Sequence, residues 1–411
     1  MPQQQPNAPQ ISRRKFVSSL GIIGSIAVLK PFEVFSFPDA LSADASVFMK
    51  CKPYLQAAAT NQMTIRWITN FNCYCWVEYG ENPDNLNLKA QRVYEGLVQA
   101  NNTIQDISLK NLQPGKTYYY RAVSKKIPGF NKGKVTYSDT FKDKVYAFTT
   151  PKQNSDIKSA AFLVFNDIHD RPESFDLLMK YRSPGKKDFV FLNGDMFNSL
   201  QTEDQIVDHL LNPLSNNFAT ETPFIYGRGN HEDRGPFARQ LDNYIDGKGH
   251  PFYYSFQYGP LYCIVLDSGE DKADTEEVYG GINDFDDYRH EQRTWLLKEV
   301  EKKEFKNARF RVVFNHIPLY HTAKKDPHGA VNCRENWGDI LNKSKISLMI
   351  SGHTHVYKIH QPIAGMHNYP IVVGGGPFDG QRTIIEVNVN AHQLNLKMTD
   401  DSGKVVGTLN L

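Results

Sequence analysis

From residue 160 to 373 the chain alternates short apolar runs with helix-like stretches, a pattern that few folds can accommodate. The runs 160–165, 189–192, 224–226, 261–266, 310–314, 347–350 and 371–373 are continuous, as expected of buried strands. Between several of them, 172–182, 203–211 and 290–303 read as helices. With strand-like 383–399 closing the series, this predicts a layered α/β domain with helices outside. Ligand sites in such folds form beyond the carboxyl ends of strands. Five segments there carry metal-ligand residue types: Asp167-x-His169, Gly194-Asp195, Gly229-Asn230-His231-Glu232, His316 and Gly352-His353-x-His355.

A chain of 411 residues exceeds one ordinary core, and its first part reads differently. Between 47 and 150, short β-type runs alternate with turn signals, Met63 to Thr69 being a clear example, which predicts a β-sandwich of about 100 residues. Leu112-x-Pro-Gly-x-x-Tyr118 resembles the tyrosine corner of fibronectin type III domains, with Trp67 as the core indole. Lys52-Pro-Tyr-Leu-Gln56 and Tyr146-Ala-Phe-Thr-Thr150 resemble the first and last strands of the purple acid phosphatase N-terminal module. No chemistry is expected from this domain. At the N-terminus, Ser12-Arg13-Arg14-Lys15-Phe16-Val17, a short apolar run over 20–29 and Ala43-Asp44-Ala45 resemble a twin-arginine export signal. The expected organisation is thus a signal over 1–45, a fibronectin III-like domain over 46–150, a linker over 151–158 and the α/β domain over 159–411.

Charge and cysteine usage narrow the partners. A net charge of +2 with scattered Lys and Arg offers no basic patch, so nucleic acid is not an expected partner and a small polar substrate is. The apolar run is too short for a permanent membrane span. Five cysteines without a CxxC pair exclude both a cysteine zinc site and a dense disulfide framework.

Any one of the five motifs is commonplace as a turn or a helix cap. Their ordered joint occurrence over 160–376 resembles the calcineurin-like metallophosphoesterases. The resemblance implies a four-layer α/β/β/α sandwich and two metal ions. Asp167, His169 and His355 would hold the first, Asn230, His316 and His353 the second, and Asp195 would bridge them. Strand alternation would let the residues of Asp-x-His and of His-x-His share a side. A mixed N/O set without thiolate suits Fe, Zn, Mn or Ni rather than Ca or Mg alone. Two divalent ions less two carboxylates and a bridging hydroxide leave about one positive charge, which attracts a phosphate oxyanion. The hydroxide would then attack phosphorus. His231 is expected as general acid, Glu232 as an outer residue orienting a histidine, and Arg228 and His321 as substrate contacts; the run Asp284, Asp286, Asp287 reads as a solvated loop.

One position departs from the pattern of purple acid phosphatases. These carry a metal-binding tyrosine three residues after the Gly-Asp aspartate, where this chain has Asn198, and usually lack the equivalent of His169. One ligand is exchanged for another, so a full set without a tyrosinate colour band is expected. The functional expectation is a periplasmic or secreted bacterial enzyme that hydrolyses phosphate esters, with monoesters favoured. A phosphodiesterase, acting for instance on cyclic nucleotides, is the alternative, followed by a non-catalytic envelope-binding protein.

Overall fold

The computed structural model describes residues 45–245, 252–322 and 326–411. The paired arginines and the apolar run of the export signal lie outside the described residues. Among those described, no helix is long and apolar enough to cross a membrane.

The N-terminal part is an all-β sandwich organised around one long strand, Gln62–Gly80. Its first half pairs with Met49–Ala59 and Ala100–Lys110, its second half with Thr117–Lys126, so a single strand runs through both layers. Trp67, Leu55, Tyr118, Tyr120 and Phe148 meet in the core between them. The Trp67 indole donates to Ser124 Oγ at 3.1 Å, and the Gln113 amide donates to the Tyr118 hydroxyl at 3.0 Å, which makes the expected tyrosine corner. All five cysteines are buried and free. The sandwich is not a loose appendage. Cys51, Tyr54 and Ile68 join the core beneath the first sheet of the α/β domain, and Tyr120 donates to the Thr220 carbonyl at 2.8 Å.

The α/β domain has two six-stranded sheets among the described residues. In the first, Ser159–Phe165, Phe189–Asn193 and Phe224–Gly227 are parallel neighbours, extended by the antiparallel strands Thr383–Asn390, Leu394–Asp400 and Val405–Asn410. In the second, Leu261–Leu266, Phe310–Asn315, Leu348–Ser351 and Ile371–Val373 are parallel, flanked by antiparallel Tyr254–Tyr258 and Lys358–His360. Alternate side chains sort the layers. Phe162 and Val164 point between the sheets, whereas Leu163 and Phe165 point to the helices. Between the sheets, Phe191 stacks on Phe314 with ring centroids 3.8 Å apart; burying each phenyl contributes about 2–3 kcal/mol. The outer face of the second sheet packs on Leu296, Trp337 and Leu341 of its own helices. The result is the expected α/β/β/α stack.

Three expected elements differ. The helix expected over 203–211 continues to Ala219, because Pro213 stands in the first turn of Asn212–Leu214 after a wide π turn, where it blocks no required hydrogen bond. The acidic run is not a solvated loop but the start of helix Phe285–Glu299, where Arg289 and His328 hold Asp286. Strand-like 383–399 is a hairpin rather than one strand.

Candidate metal centre

Every parallel strand that carries a motif ends at one place. The first sheet delivers Asp167, His169, Asp195 and Asn230, and the second delivers His316, His353 and His355. Donor atoms of Asp167, His169, Asp195 and His355 lie within 4.8 Å of one another, and so do those of Asp195, His316 and His353. Asp195 belongs to both groups. Its Oδ2 lies 3.0 Å from His316 Nε2 and 3.5 Å from His169 Nε2. His355 Nε2 lies 3.3 Å from Asp167 Oδ1 and 3.0 Å from His169 Nε2. Asn230 Oδ1 joins the second group, 3.0 Å from His353 Nδ1.

The backbone that achieves this is not the one expected. Strand alternation was to place the paired ligands on one side, but Asp167, His169, Asp195, His353 and His355 all stand beyond the strand ends in the left-handed region, with φ between 49° and 69°. Asp and His tolerate that region better than most residues, at roughly 1 kcal/mol each. Such strain persists where the surroundings over-determine it. Here cross-loop hydrogen bonds do so: the Asp167 amide donates to the Gly194 carbonyl, the His169 amide to the Asp195 carbonyl, and the Gly352 amide to the His316 carbonyl. Gly352 is required for space. A Cβ there would lie 2.3 Å from Asp167 Oδ2.

Outer partners leave one nitrogen of His316 and one of His169 facing inward. His316 donates from Nδ1 to the Asn193 carbonyl at 2.8 Å, so its buried Nε2, which makes no hydrogen bond, is aimed at Asp195. His169 donates from Nδ1 to Asn198 Oδ1 at 3.2 Å. Asn166 donates from Nδ2 to Asp167 Oδ2 at 2.6 Å and to the Gly375 carbonyl. Burial opposes charge throughout. Against that opposition, His316 and the neighbouring histidines hold Asp167 and Asp195 well below the usual carboxylate range, and the two aspartates push His316 up to about 10. Burial and then His316 push His353 down to about 4. A cation held here would take the place of the His316 proton between the two carboxylates.

The remaining expected residues fare differently. His231 donates from Nδ1 to the Asn198 carbonyl at 2.7 Å, and Arg234 approaches its Nε2 at 3.0 Å. It stands beside the centre, its ring 4.6 Å from that of His169. Glu232 is an outer residue but orients no histidine: its carboxylate accepts from the amides of Gly229, Asp195 and Met196. Arg228 is not available to a phosphate, because Asp233 and Asp267 occupy its guanidinium at 2.8 and 2.6 Å. His321 is turned into a histidine cluster, stacked on His360 at 4.0 Å and 2.8 Å from His367 Nε2. Sequence reasoning passed over Arg171. It donates to the His169 carbonyl, lies 4.5 Å from the ring of exposed Phe378, and has no carboxylate partner among the described residues.

Comparison with known proteins agrees with this geometry. The calcineurin-like phosphoesterase family profile matches residues 160–357, and that of the purple acid phosphatase N-terminal domain matches 51–150. Residues 160–357 form a calcineurin-like phosphoesterase domain. Purple acid phosphatase 21 of Arabidopsis thaliana is 24% identical over 75% of this chain, and human acid phosphatase type 7 is 25% identical over 76%. The alignments span 66% and 70% of those proteins, just under two thirds of the first. A purple acid phosphatase from yellow lupin seeds shares the fold with TM-score 0.65 and 16% identity, over 87% of this chain and 73% of that one. The structure of PhoD gives 0.62 and 11%, over 91% and 90%. The domain has the N and O donors that a dinuclear centre needs, and no thiolate among them.

Proposed function

We propose that this protein hydrolyses phosphate esters, monoesters in preference to diesters. The observation that carries the proposal is the sharing of Asp195 between two donor groups, which suits a carboxylate spanning two ions about 3.5–4 Å apart. When bound, the ions supply the hydroxide nucleophile and charge stabilisation at phosphorus. The chain's own residues do the rest. Asp167, His169 and His355 would hold the first ion; Asn230, His316 and His353 would hold the second. His231 stands at the edge with Nδ1–H fixed on the Asn198 carbonyl and Nε2 3.9 Å from Asp195 Oδ2; it gives a proton to the leaving oxygen as an imidazolium, once the Arg234 guanidinium has withdrawn from Nε2. Arg171 takes the anion-contacting role that Arg228 cannot fill, since its guanidinium is held by one backbone carbonyl and by no carboxylate among the described residues, which leaves donors for charge-assisted hydrogen bonds to phosphate.

Elemental analysis of protein purified without chelators is expected to give two ions per chain. The same protein should hydrolyse p-nitrophenyl phosphate faster than its bis-ester, and Arg171→Gln should raise KM about tenfold with kcat little changed. A clear preference for the bis-ester would transfer the assignment to phosphodiesterases. Metal content near zero would favour the binding-protein reading.

Export in the folded state is supported by Arg13-Arg14 ahead of an apolar run. With both arginines changed to lysine, phosphatase activity should stay in the cytoplasm of a bacterial host; undiminished periplasmic activity would refute this route.

A further inference from the structure

We infer that Asn198 is a positioning residue that locks the first-ion imidazole and the proton-donating imidazole to one anchor. The inference rests on the dinuclear reading above and concerns what replaces the tyrosine ligand of purple acid phosphatases at this position. Asn198 is not placed to ligate: its side-chain amide is committed at both ends. Nδ2 donates to Asp170 Oδ2 at 2.9 Å and to the His169 carbonyl at 3.3 Å, which fixes the amide orientation and leaves Oδ1 to accept from His169 Nδ1. That acceptor sets the His169 tautomer, so Nε2 is the nitrogen offered to the ion.

The same residue holds its neighbour through the backbone. The Asn198 carbonyl accepts from His231 Nδ1 at 2.7 Å, so both imidazoles present Nε2 toward the centre from a common support. Their rings meet edge to face at 4.6 Å. The support is itself braced. Asp170 accepts the Asn198 amide at 2.8 Å through Oδ2, while its Oδ1 accepts from Gln205 Nε2 and pairs with His209 Nδ1. Asn198 and His169 therefore work as a pair: one is the ligand-bearing imidazole and the other orients it. A phenol at 198 would lack the second, donating end that Asp170 grips.

The test compares the wild-type chain, Asn198→Ala and the double variant Asn198→Asp with Asp170→Asn, each loaded with zinc. Zinc stoichiometry, affinity by chelator competition and histidine tautomers by long-range 1H–15N spectra are the readouts. For Asn198→Ala, affinity for one of the two ions should fall 10- to 100-fold and the other stay unchanged, with the His169 tautomer no longer single. The double variant Asn198→Asp with Asp170→Asn exchanges the donating and accepting ends of that contact, keeps an acceptor for His169 and should recover most of the lost affinity; it also serves if the alanine variant does not fold. Wild-type affinity at both sites in Asn198→Ala, or equal losses in both variants, would overturn the inference while leaving the dinuclear reading intact. A wild-type chain that binds fewer than two zinc ions would overturn the dinuclear reading and this inference together.

Discussion

Asp195→Asn should leave a folded protein that binds at most one ion tightly and turns over at least a thousandfold more slowly. Asp195 is 1% exposed, and its Oδ2 reaches the histidines of both donor groups, so its charge is the shared screen between the two ions. Two dications about 4 Å apart repel by roughly 15 kcal/mol at an effective dielectric near 20, and removing the anion between them leaves that repulsion unscreened. The fold survives because asparagine matches the shape and keeps an oxygen for the His231 amide, which donates to Oδ1 at 3.0 Å. Thermal melting of the metal-free protein would stay cooperative but shift down, since the buried His316 loses one of the two carboxylates that hold its proton, while elemental analysis and steady-state kinetics register the functional loss. If a tenth of the wild-type kcat remained, with two ions bound, Asp195 would not be the bridge.

What the sequence makes legible is the chemistry of each motif; what it hides is the support around it. The seven ligand positions can be read because Asp, Asn and His stand immediately after buried runs, where side chains of those types have few structural uses in such number. Their backbone could not be read: five left-handed residues follow from loop-to-loop hydrogen bonds such as that between the His169 amide and the Asp195 carbonyl, which no local pattern announces. Arg228 shows the same limit from the other side. It flanks a motif and looks free, yet Asp267, which claims it, comes from the second sheet. The helical run His328–Lys343 went unread because two glycines and a π turn at Arg334–Gly338 erase its 3.6-residue period. The strand Tyr254–Tyr258 alternates plainly and was legible in principle.

Glu232→Gln alters a single atom and should cost about 2–4 kcal/mol of stability together with about a hundredfold in kcat. Glu232 is fully buried, with Oε2 accepting from the amides of Gly229 at 2.8 Å and Asp195 at 2.9 Å, and Oε1 accepting from Met196 at 2.7 Å. Burial, and then the charge on Asp195, push its carboxyl above the usual value, while His316 and these amides favour the anion. A glutamine must turn its own N–H2 toward at least one of the three donors. One charge-assisted bond is then lost and a buried N–H has no acceptor, which sets the stability cost. The catalytic cost follows from where those amides lie. Gly229 leads directly into Asn230, and Asp195 and Met196 form the loop of the bridging carboxylate, so Glu232 ties a second-ion ligand to the bridge. The turn is tight, since a Cβ on Gly229 would sit 2.3 Å from Asp195 Oδ1. Letting the two loops part by even 1 Å misplaces the bridge, and misplacement on that scale reduces rates about a hundredfold. Calorimetric melting and kcat at saturating metal measure the two effects separately. Wild-type values for both would mean that the three amides hold the centre without their shared acceptor.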